Sequence, residues 1–338
     1  MRLLVMGGTV FLGRHMVEAA LARGWDVTAF NRGVTGTDVP GAESVRGDRE
    51  SAGDLARLAG LGPWDAVVDV CGYVPRVVGE SVRALSPAAG TYAFVSSVSA
   101  YAFRKASSVD EHSPRLDCPA DAGPEDGNYG ELKAGCERAV EEGFEGTALI
   151  INPGLIVGPH ENVGRIPYWL RRAARGGPFI APGHPDRSMQ LIDARDIAEF
   201  TMNGIEKGYE GRYFTTGIHG NVTWGELIST CVEATGSDAE PVWIDDDFLL
   251  DHEVGVWDEL PLWAPARPDF AGVWLTSSGK ALEAGLSCRA VEDSIRDTWT
   301  WLGSGDVPDL LPSYRERPRV GIAEEKERDI ITAWRNRR

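Results

Sequence analysis

Met1-Arg2-Leu3-Leu4-Val5-Met6-Gly7-Gly8-Thr9-Val10-Phe11-Leu12-Gly13-Arg14-His15 constrains the fold more than any other stretch of the chain. A short apolar run breaks into glycines, and Met16, Val17, Ala20 and Leu21 follow at helical spacing, which reads as strand, glycine turn, helix. Such a turn aims helix N-terminal amides, and the positive end of the dipole, at a phosphate. A plain strand-to-helix loop also carries glycines. This one opens a βαβ unit, the place where a dinucleotide fold requires it.

The second informative stretch is Asp126-Gly127-Asn128-Tyr129-Gly130-Glu131-Leu132-Lys133-Ala134-Gly135. On a helix, Tyr129 and Lys133 share a face one turn apart. A free phenol with a pKa near 10 is a poor acid–base catalyst at neutral pH, and a neighbouring ammonium stabilises the phenolate. Alone, such a pair is most often an ordinary exposed helical pair; the glycine turn upstream gives it meaning.

With both stretches in place, the chain resembles an extended short-chain dehydrogenase/reductase, the NAD-dependent epimerase/dehydratase-like family. The family's G-x-x-G-x-x-G motif corresponds to Gly7, Val10 and Gly13, and its Tyr-x-x-x-Lys pair to Tyr129 and Lys133. Its catalytic serine corresponds to Ser97 in Phe94-Val95-Ser96-Ser97-Val98-Ser99-Ala100-Tyr101. Asn152-Pro153-Gly154-Leu155-Ile156-Val157-Gly158-Pro159 and Leu191-Ile192-Asp193-Ala194-Arg195-Asp196-Ile197-Ala198 match further segments, so the likeness runs from residue 1 to about residue 302. One departure is Val10, where a glycine is usual.

The resemblance implies an α/β fold: a Rossmann doubly wound parallel sheet in residues 1–158, with about 186–218 returning to it. A smaller C-terminal substrate-binding subdomain would comprise 159–185 and 219–338. Implied cofactor contacts are Gly7, Thr9, Val10, Phe11, Leu12 and Gly13 at the pyrophosphate, and Asp48 and Arg49 towards the adenine. Val70, Cys71 and Gly72 would lie along the cofactor, Lys133 at the nicotinamide ribose beside Tyr129, and Pro153, Gly154, Leu155 and Ile156 behind the nicotinamide. Ser97, Tyr129 and Lys133 are the implied catalytic set.

Composition bounds the alternatives. With 338 residues, 43% of them hydrophobic, the chain can bury a sizeable core. A net charge of -17 disfavours a nucleic-acid partner, whose backbone demands lysine and arginine. Cys71, Cys118, Cys136, Cys231 and Cys288 show no C-x-x-C spacing, and the six histidines show no ligand spacing, so a reducing cytoplasm and no metal are expected. The opening apolar run is too short for a signal peptide and no segment is long enough to span a membrane. A small-molecule substrate is expected, with a homodimer as the candidate assembly.

Along the chain, Trp25–Phe30 reads as the second strand, and the residue at the end of such a strand reads the adenosine ribose. Here that site is Asn31-Arg32: no carboxylate for a 2′-hydroxyl, and a guanidinium for a 2′-phosphate, so NADP(H) is expected ahead of NAD(H). Ser44–Arg46 and the apolar run Ala66–Gly72 read as strands, with Asp69 in a local hydrogen-bonding role. Thr91–Val95 is a strand that delivers Ser97, and Lys105–Asp126 is a polar surface loop. Asp245-Asp246-Asp247 reads as a solvated helix start and Ile322–Trp334 as a docked amphipathic helix. Trp169, Trp224, Trp243, Trp257, Trp263 and Trp274 either line a flat apolar pocket or fill core, the commoner role.

Three functions compete: a carbonyl reductase, a nucleotide-sugar epimerase or dehydratase, and a catalytically idle cofactor sensor. The intact set of Ser97, Tyr129 and Lys133 disfavours the sensor. Val98 and Ser99 stand where the family's dehydratases carry an Asp-Glu pair. Met189 stands where sugar-nucleotide relatives place a diphosphate-binding arginine, with Arg187 or Arg267 as substitutes. The expectation is therefore an NADP(H)-dependent reductase of a largely apolar ketone, with Tyr129 as general acid and Trp169, Arg187, Met189 and Trp263 on the substrate side.

Overall fold

Alternate residues of strand β1 (Arg2–Met6) face opposite sides of a sheet: Leu3 and Val5 enter one apolar cluster, Leu4 and Met6 another. The unbroken apolar run that opens the chain follows from this burial on both faces. The computed structural model describes residues 1–34, 37–102, 108–305 and 320–337. The start of the polar stretch expected from Lys105 lies outside the described residues, as do positions 306–319 of the C-terminal region.

The chain proceeds through α1 (Phe11–Ala22), β2 (Asp26–Asn31), β3 (Glu43–Arg46), α2 (Ala52–Gly60), β4 (Trp64–Asp69), α3 (Pro75–Leu85) and β5 (Ala89–Val95). Next come α4 (Tyr129–Gly143), β6 (Thr147–Pro153), β7 (Leu155–Val157), α5 (Arg165–Ala174), β8 (Pro178–Pro182), β9 (Ser188–Met189) and β10 (Leu191–Asp193). Then follow α6 (Ala194–Lys207), β11 (Gly211–Thr215), β12 (Val222–Thr223), α7 (Trp224–Thr235), β13 (Glu240–Ile244) and α8 (Asp246–Asp251). Helices α9 (Gly279–Glu283), α10 (Val291–Gly303) and α11 (Glu324–Asn336) complete the described elements.

Seven strands form one parallel sheet in the order β11-β6-β5-β4-β1-β2-β3. Met16, Val17 and Ala20 of α1 join Ile197 and Phe200 of α6 on one face. Leu55 and Leu58 of α2, Val78 and Val82 of α3 and Val140 of α4 cover the other. The chain leaves β1 towards β2 and β3, then returns to place β4 on the opposite side of β1. The crevice at this switch point is where a doubly wound Rossmann sheet binds its ligand.

A third cluster brings together α5, α7, α10 and α11 with the paired strands β8 and β13. Trp169 and Trp224 meet edge to face at its centre, with ring centroids 5.3 Å apart, a contact worth about 0.5–1.5 kcal/mol beyond its area. Trp169 Nε1 donates to Pro261 O at 2.9 Å, so the indole is satisfied where it is buried. The expected solvated turn at Asp245–Asp247 differs: Asp246 is drawn into the fold, accepting from Arg187, Trp263 Nε1 (2.9 Å) and Ala266 N (2.7 Å).

Helix α11 docks as its amphipathic pattern predicts, burying Ile330 and Ile331. Its anchor is Glu327, which accepts from Arg172 Nε at 2.7 Å and from Ile180 N at 3.2 Å; both partners of the ion pair are buried. Replacing Glu327 by Ala strands a buried guanidinium, an error that costs about 3–5 kcal/mol. Thermal unfolding of Glu327→Ala should show a melting temperature lower by several degrees, with Glu327→Gln closer to the parent. A variant indistinguishable from the parent would show that α11 is held by its apolar face alone.

Candidate active site

At the carboxyl ends of β1, β2, β4, β5 and β6 lies a cleft of about 2310 Å³. Its floor is the glycine turn. Gly7 has φ +90°, and a Cβ there would stand 2.9 Å from Cys71 Cβ. At Gly13 a Cβ would stand 2.1 Å from Gly7 O, so α1 packs onto the turn backbone to backbone. Val10 precedes α1 in extended conformation, without a side-chain cap and without an acidic residue in the first turn. The free amides thus face the cleft with no competing carboxylate, which fits a dinucleotide's pyrophosphate. Next to Val10, Phe11 takes φ +39°, a strained conformation for a residue with a Cβ. Thr9, Val10, Phe11, Leu12 and Gly13 all line the cleft.

Asn31 and Arg32 line it at the end of β2, with Arg32 exposed. Asn31 Oδ1 accepts from Gly33 N at 2.9 Å, while Asn31 Nδ2 is a buried donor without a partner among the described residues. Asp48 reaches the cleft with its carboxylate accepting from Glu50 N at 3.0 Å. Arg49 also lines it, but its guanidinium is committed to the floor. Nη1 and Nη2 each lie 2.8 Å from Asp69, and Nη2 donates to Ser81 Oγ at 3.0 Å. Burial opposes the charge on Asp69, and the Arg49 ion pair outweighs it, holding the carboxyl below its usual range. Val70 and Cys71 line the cleft at the end of β4. Gly72 contributes its carbonyl to Lys133 instead.

Ser97, Tyr129 and Lys133 converge on the same cleft. Asn128 caps α4, its Oδ1 accepting from Gly130 N (3.0 Å) and Glu131 N (3.3 Å), while Glu131 accepts from Asn128 N (2.7 Å). This box starts the helix at Tyr129, whose side chain is left 53% exposed at the mouth. One turn on, Lys133 is only 2% exposed. Its Nζ donates to Gly72 O at 2.7 Å and Val95 O at 2.9 Å, leaving one of three ammonium donors for the cleft. Ser97 follows β5 and its Oγ accepts from Ser99 N at 3.0 Å. Pro153, Gly154, Leu155 and Ile156 line the wall that continues from β6.

Behind this set lies a residue the motifs do not reveal. Glu137, a further turn along α4, is wholly buried; Ser96 Oγ and Asn152 Nδ2 donate to Oε1 at 2.5 Å each, and Arg115 Nη1 to Oε2 at 3.2 Å. Burial pushes its carboxyl up despite these donors. The network ties α4 to the ends of β5 and β6, the strands that carry Ser97 and Pro153. A charged residue on the buried face of α4 was its signal in the sequence.

The substrate side is different from the expectation. Trp169 and Trp263 are 1% and 0% exposed and belong to the third cluster, with Trp263 Nε1 fixed by Asp246. Met189 is buried where β9 pairs with β12, and Arg187 is held by Asp246 at 3.0 and 2.7 Å. None of the four lines the cleft. Arg267 pairs with Asp247 outside it. What does line it is α5, through Arg165, Tyr168, Arg171, Arg172 and Arg175, together with Trp257 and the segment Val320–Glu324. Arg172 and Arg175 are neutralised by Glu327 and Glu324. Arg171 makes no ion pair among the described residues, while Arg165 lies near enough to the buried Glu161 for their charges to interact. Among those residues there is also no three-ligand metal group, and no helix long and apolar enough to cross a membrane.

Comparison with known proteins places this architecture. Residues 3–217, well over half of the chain, match the model of the NAD dependent epimerase/dehydratase family. No curated protein sequence matches the chain significantly. Among solved structures, the Bordetella bronchiseptica enzyme WbmH in complex with NAD+ superimposes with a TM-score of 0.71 at 18% identity, over 90% of this chain and 99% of that one. WbmG of the same organism, in complex with NAD and UDP, gives 0.69 at 19% identity over 92% and 97%. The UDP-Glc/GlcNAc 4-epimerase of Campylobacter jejuni gives 0.68 at 15% identity over 89% and 98%. Identities this low establish the fold alone; the family match goes further, and the chain belongs to the NAD dependent epimerase/dehydratase family.

Proposed function

We propose that this protein is an NADP(H)-using oxidoreductase of a nucleotide-sugar-like substrate, of the 4-epimerase/reductase type. One observation carries the reading. The glycine turn and the set of Ser97, Tyr129 and Lys133 open on a single cleft whose outer wall is the arginine-bearing face of α5 and not a bed of indoles. A diphosphate carries about two negative charges and needs cations where Met189 supplies none. Arg165 and Arg171 supply them from another element. The neighbours crystallised with UDP or named for UDP-sugars point the same way.

A bound nicotinamide supplies or accepts the hydride. The chain's own residues manage the proton: Tyr129 Oη gives it to, or takes it from, the substrate oxygen, and Ser97 Oγ hydrogen-bonds that oxygen. The Lys133 ammonium, fixed by two carbonyls one helical turn from Tyr129, stabilises the phenolate. The rival reading, reduction of an apolar ketone, draws on Trp257, Val273 and Val320, which also line the cleft.

Three measurements test the proposal. Tyr129→Phe should lower NADPH oxidation or UDP-hexose interconversion about a hundred- to ten-thousand-fold, with cofactor binding nearly intact. A Phe variant as fast as the parent would remove Tyr129 from the chemistry. In titrations of both cofactors, the parent should prefer NADP(H), and Arg32→Ala should lose about ten- to a hundred-fold of that preference. A parent that prefers NAD(H) refutes the cofactor assignment. UDP should raise the melting temperature through ligand linkage, and the double change Arg165→Ala, Arg171→Ala should abolish the rise. No rise with UDP, alongside one with an aromatic ketone, moves the assignment to the rival.

A further inference from the structure

Parallel pairing of β2 with β3 sets Asn31 opposite Arg46. Sheet register, not nearness in sequence, thus sets a second guanidinium beside Asn31, which lines the cleft, although Arg46 itself stands just outside the lining. Arg46 Nη1 donates to Asn31 Oδ1 at 2.5 Å, and the same guanidinium forks onto Asp38, Nη1 to Oδ1 at 2.9 Å and Nη2 to Oδ2 at 2.5 Å. Gly33, at φ +74°, makes room for it: a Cβ there would stand 2.8 Å from Arg46 Nε. With Gly33 N also on Oδ1, two donors fix the Asn31 carboxamide and leave Nδ2 as the buried donor that lacks an acceptor among the described residues.

A ribose 2′-hydroxyl is ordinarily read by a carboxylate that accepts from it. Here the end of β2 offers the reverse, donors: the Asn31 amide, whose side chain also helps lower the Asp38 carboxyl, Arg32, and Arg46 beside it. All three suit phosphate oxygens, and the one carboxylate bonded to Arg46 grips the guanidinium with the same two-pronged geometry that a phosphate adopts. The hydrogen bond from Arg46 is the main reason the Asp38 carboxyl lies below its usual range, so the pair is formed at neutral pH. It is also open to water, with side chains 47% and 35% exposed, and such pairs hold weakly.

We propose that Asp38 is an internal competitor for the cofactor's 2′-phosphate: it occupies Arg46 in the free protein, is released to solvent when the phosphate takes its place, and so tunes cofactor preference. The inference rests on the NADP(H) reading above. Its test is direct titration of NADP+ and NAD+ into the parent, Asp38→Asn, Arg46→Ala and the double variant. Asp38→Asn should tighten NADP+ about three- to tenfold and leave NAD+ unchanged. Arg46→Ala should weaken NADP+ about tenfold, again sparing NAD+, and should erase the gain from Asp38→Asn in the double variant. The inference is overturned if Asp38→Asn weakens NADP+, leaves it unchanged, or shifts both cofactors alike, or if Arg46→Ala has no effect on NADP+. A parent that prefers NAD+ sinks the cofactor reading separately, because the effect of Asp38 is read on the NADP+ constant whichever cofactor the parent prefers.

Discussion

The approach of α1 to the carbonyl of Gly7 is the contact on which the rest of the site depends. A helix can present its first amides to a phosphate only if its N-terminus comes down onto the strand it follows. A hypothetical Cβ on Gly13 standing 2.1 Å from Gly7 O shows how completely that space is used. The same closeness sets the position of β4 beside β1, since Val70 and Cys71 press on the turn from the other side. Val10 is extended at the N-cap, and the left-handed backbone of the turn falls on Phe11.

Charge is distributed in a way the total conceals. The chain carries -17 overall, and the cleft lining mixes both signs, with Arg32, Lys133, Arg165 and Arg171 set against Asp48, Glu50, Asp258, Glu259 and Glu324. Asp69 is matched by Arg49 and Glu327 by Arg172. Glu161 accepts from Arg165 N and Ile166 N at the start of α5, which occupies that helix's N-terminal amides with a resident carboxylate. An anion entering from the α5 side therefore meets guanidinium groups and not helix amides. The guanidinium groups of α5 give an anionic ligand local partners on that side, although the cleft as a whole carries charges of both signs.

The first half of the fold was legible because its signals are local. An apolar run buried on two faces, glycines at forced approaches, and a Tyr and a Lys one helical turn apart can each be read from a few adjacent residues. The second half failed where meaning depends on partners distant in sequence. From the sequence Trp169 and Trp263 can either line a pocket or fill core; their Nε1 atoms find Pro261 O and Asp246, so both indoles take the commoner role and fill core. Arg187 resembled a free cation until α8 supplied Asp246. Glu137 carries no motif, and only the packing of α4 against β5 and β6 brings Ser96 and Asn152 to it. Arg46 reaches Asn31 by strand register, and register follows from sheet order, which no single segment encodes.

Helix α4 shows why the catalytic set is rigid. Tyr129, Lys133 and Glu137 recur every four residues along it, and each faces a different depth: the phenol at the mouth, the ammonium against the strand ends, the carboxylate in the core. The buried pair of contacts from Lys133 to Gly72 O and Val95 O joins α4 to β4 and β5. Glu137 joins the same helix to Ser96, beside Ser97, and to Asn152, beside Pro153. A sliding of α4 would break both sets at once, and each broken buried contact leaves a polar group without its partners, an error of several kcal/mol. Tyr129 can therefore be exposed without being loose: its backbone is held by the two buried turns behind it, and the Asn128 box fixes where the helix begins. The exposure that leaves it open to a substrate oxygen and the order that keeps it in place come from different residues of one helix.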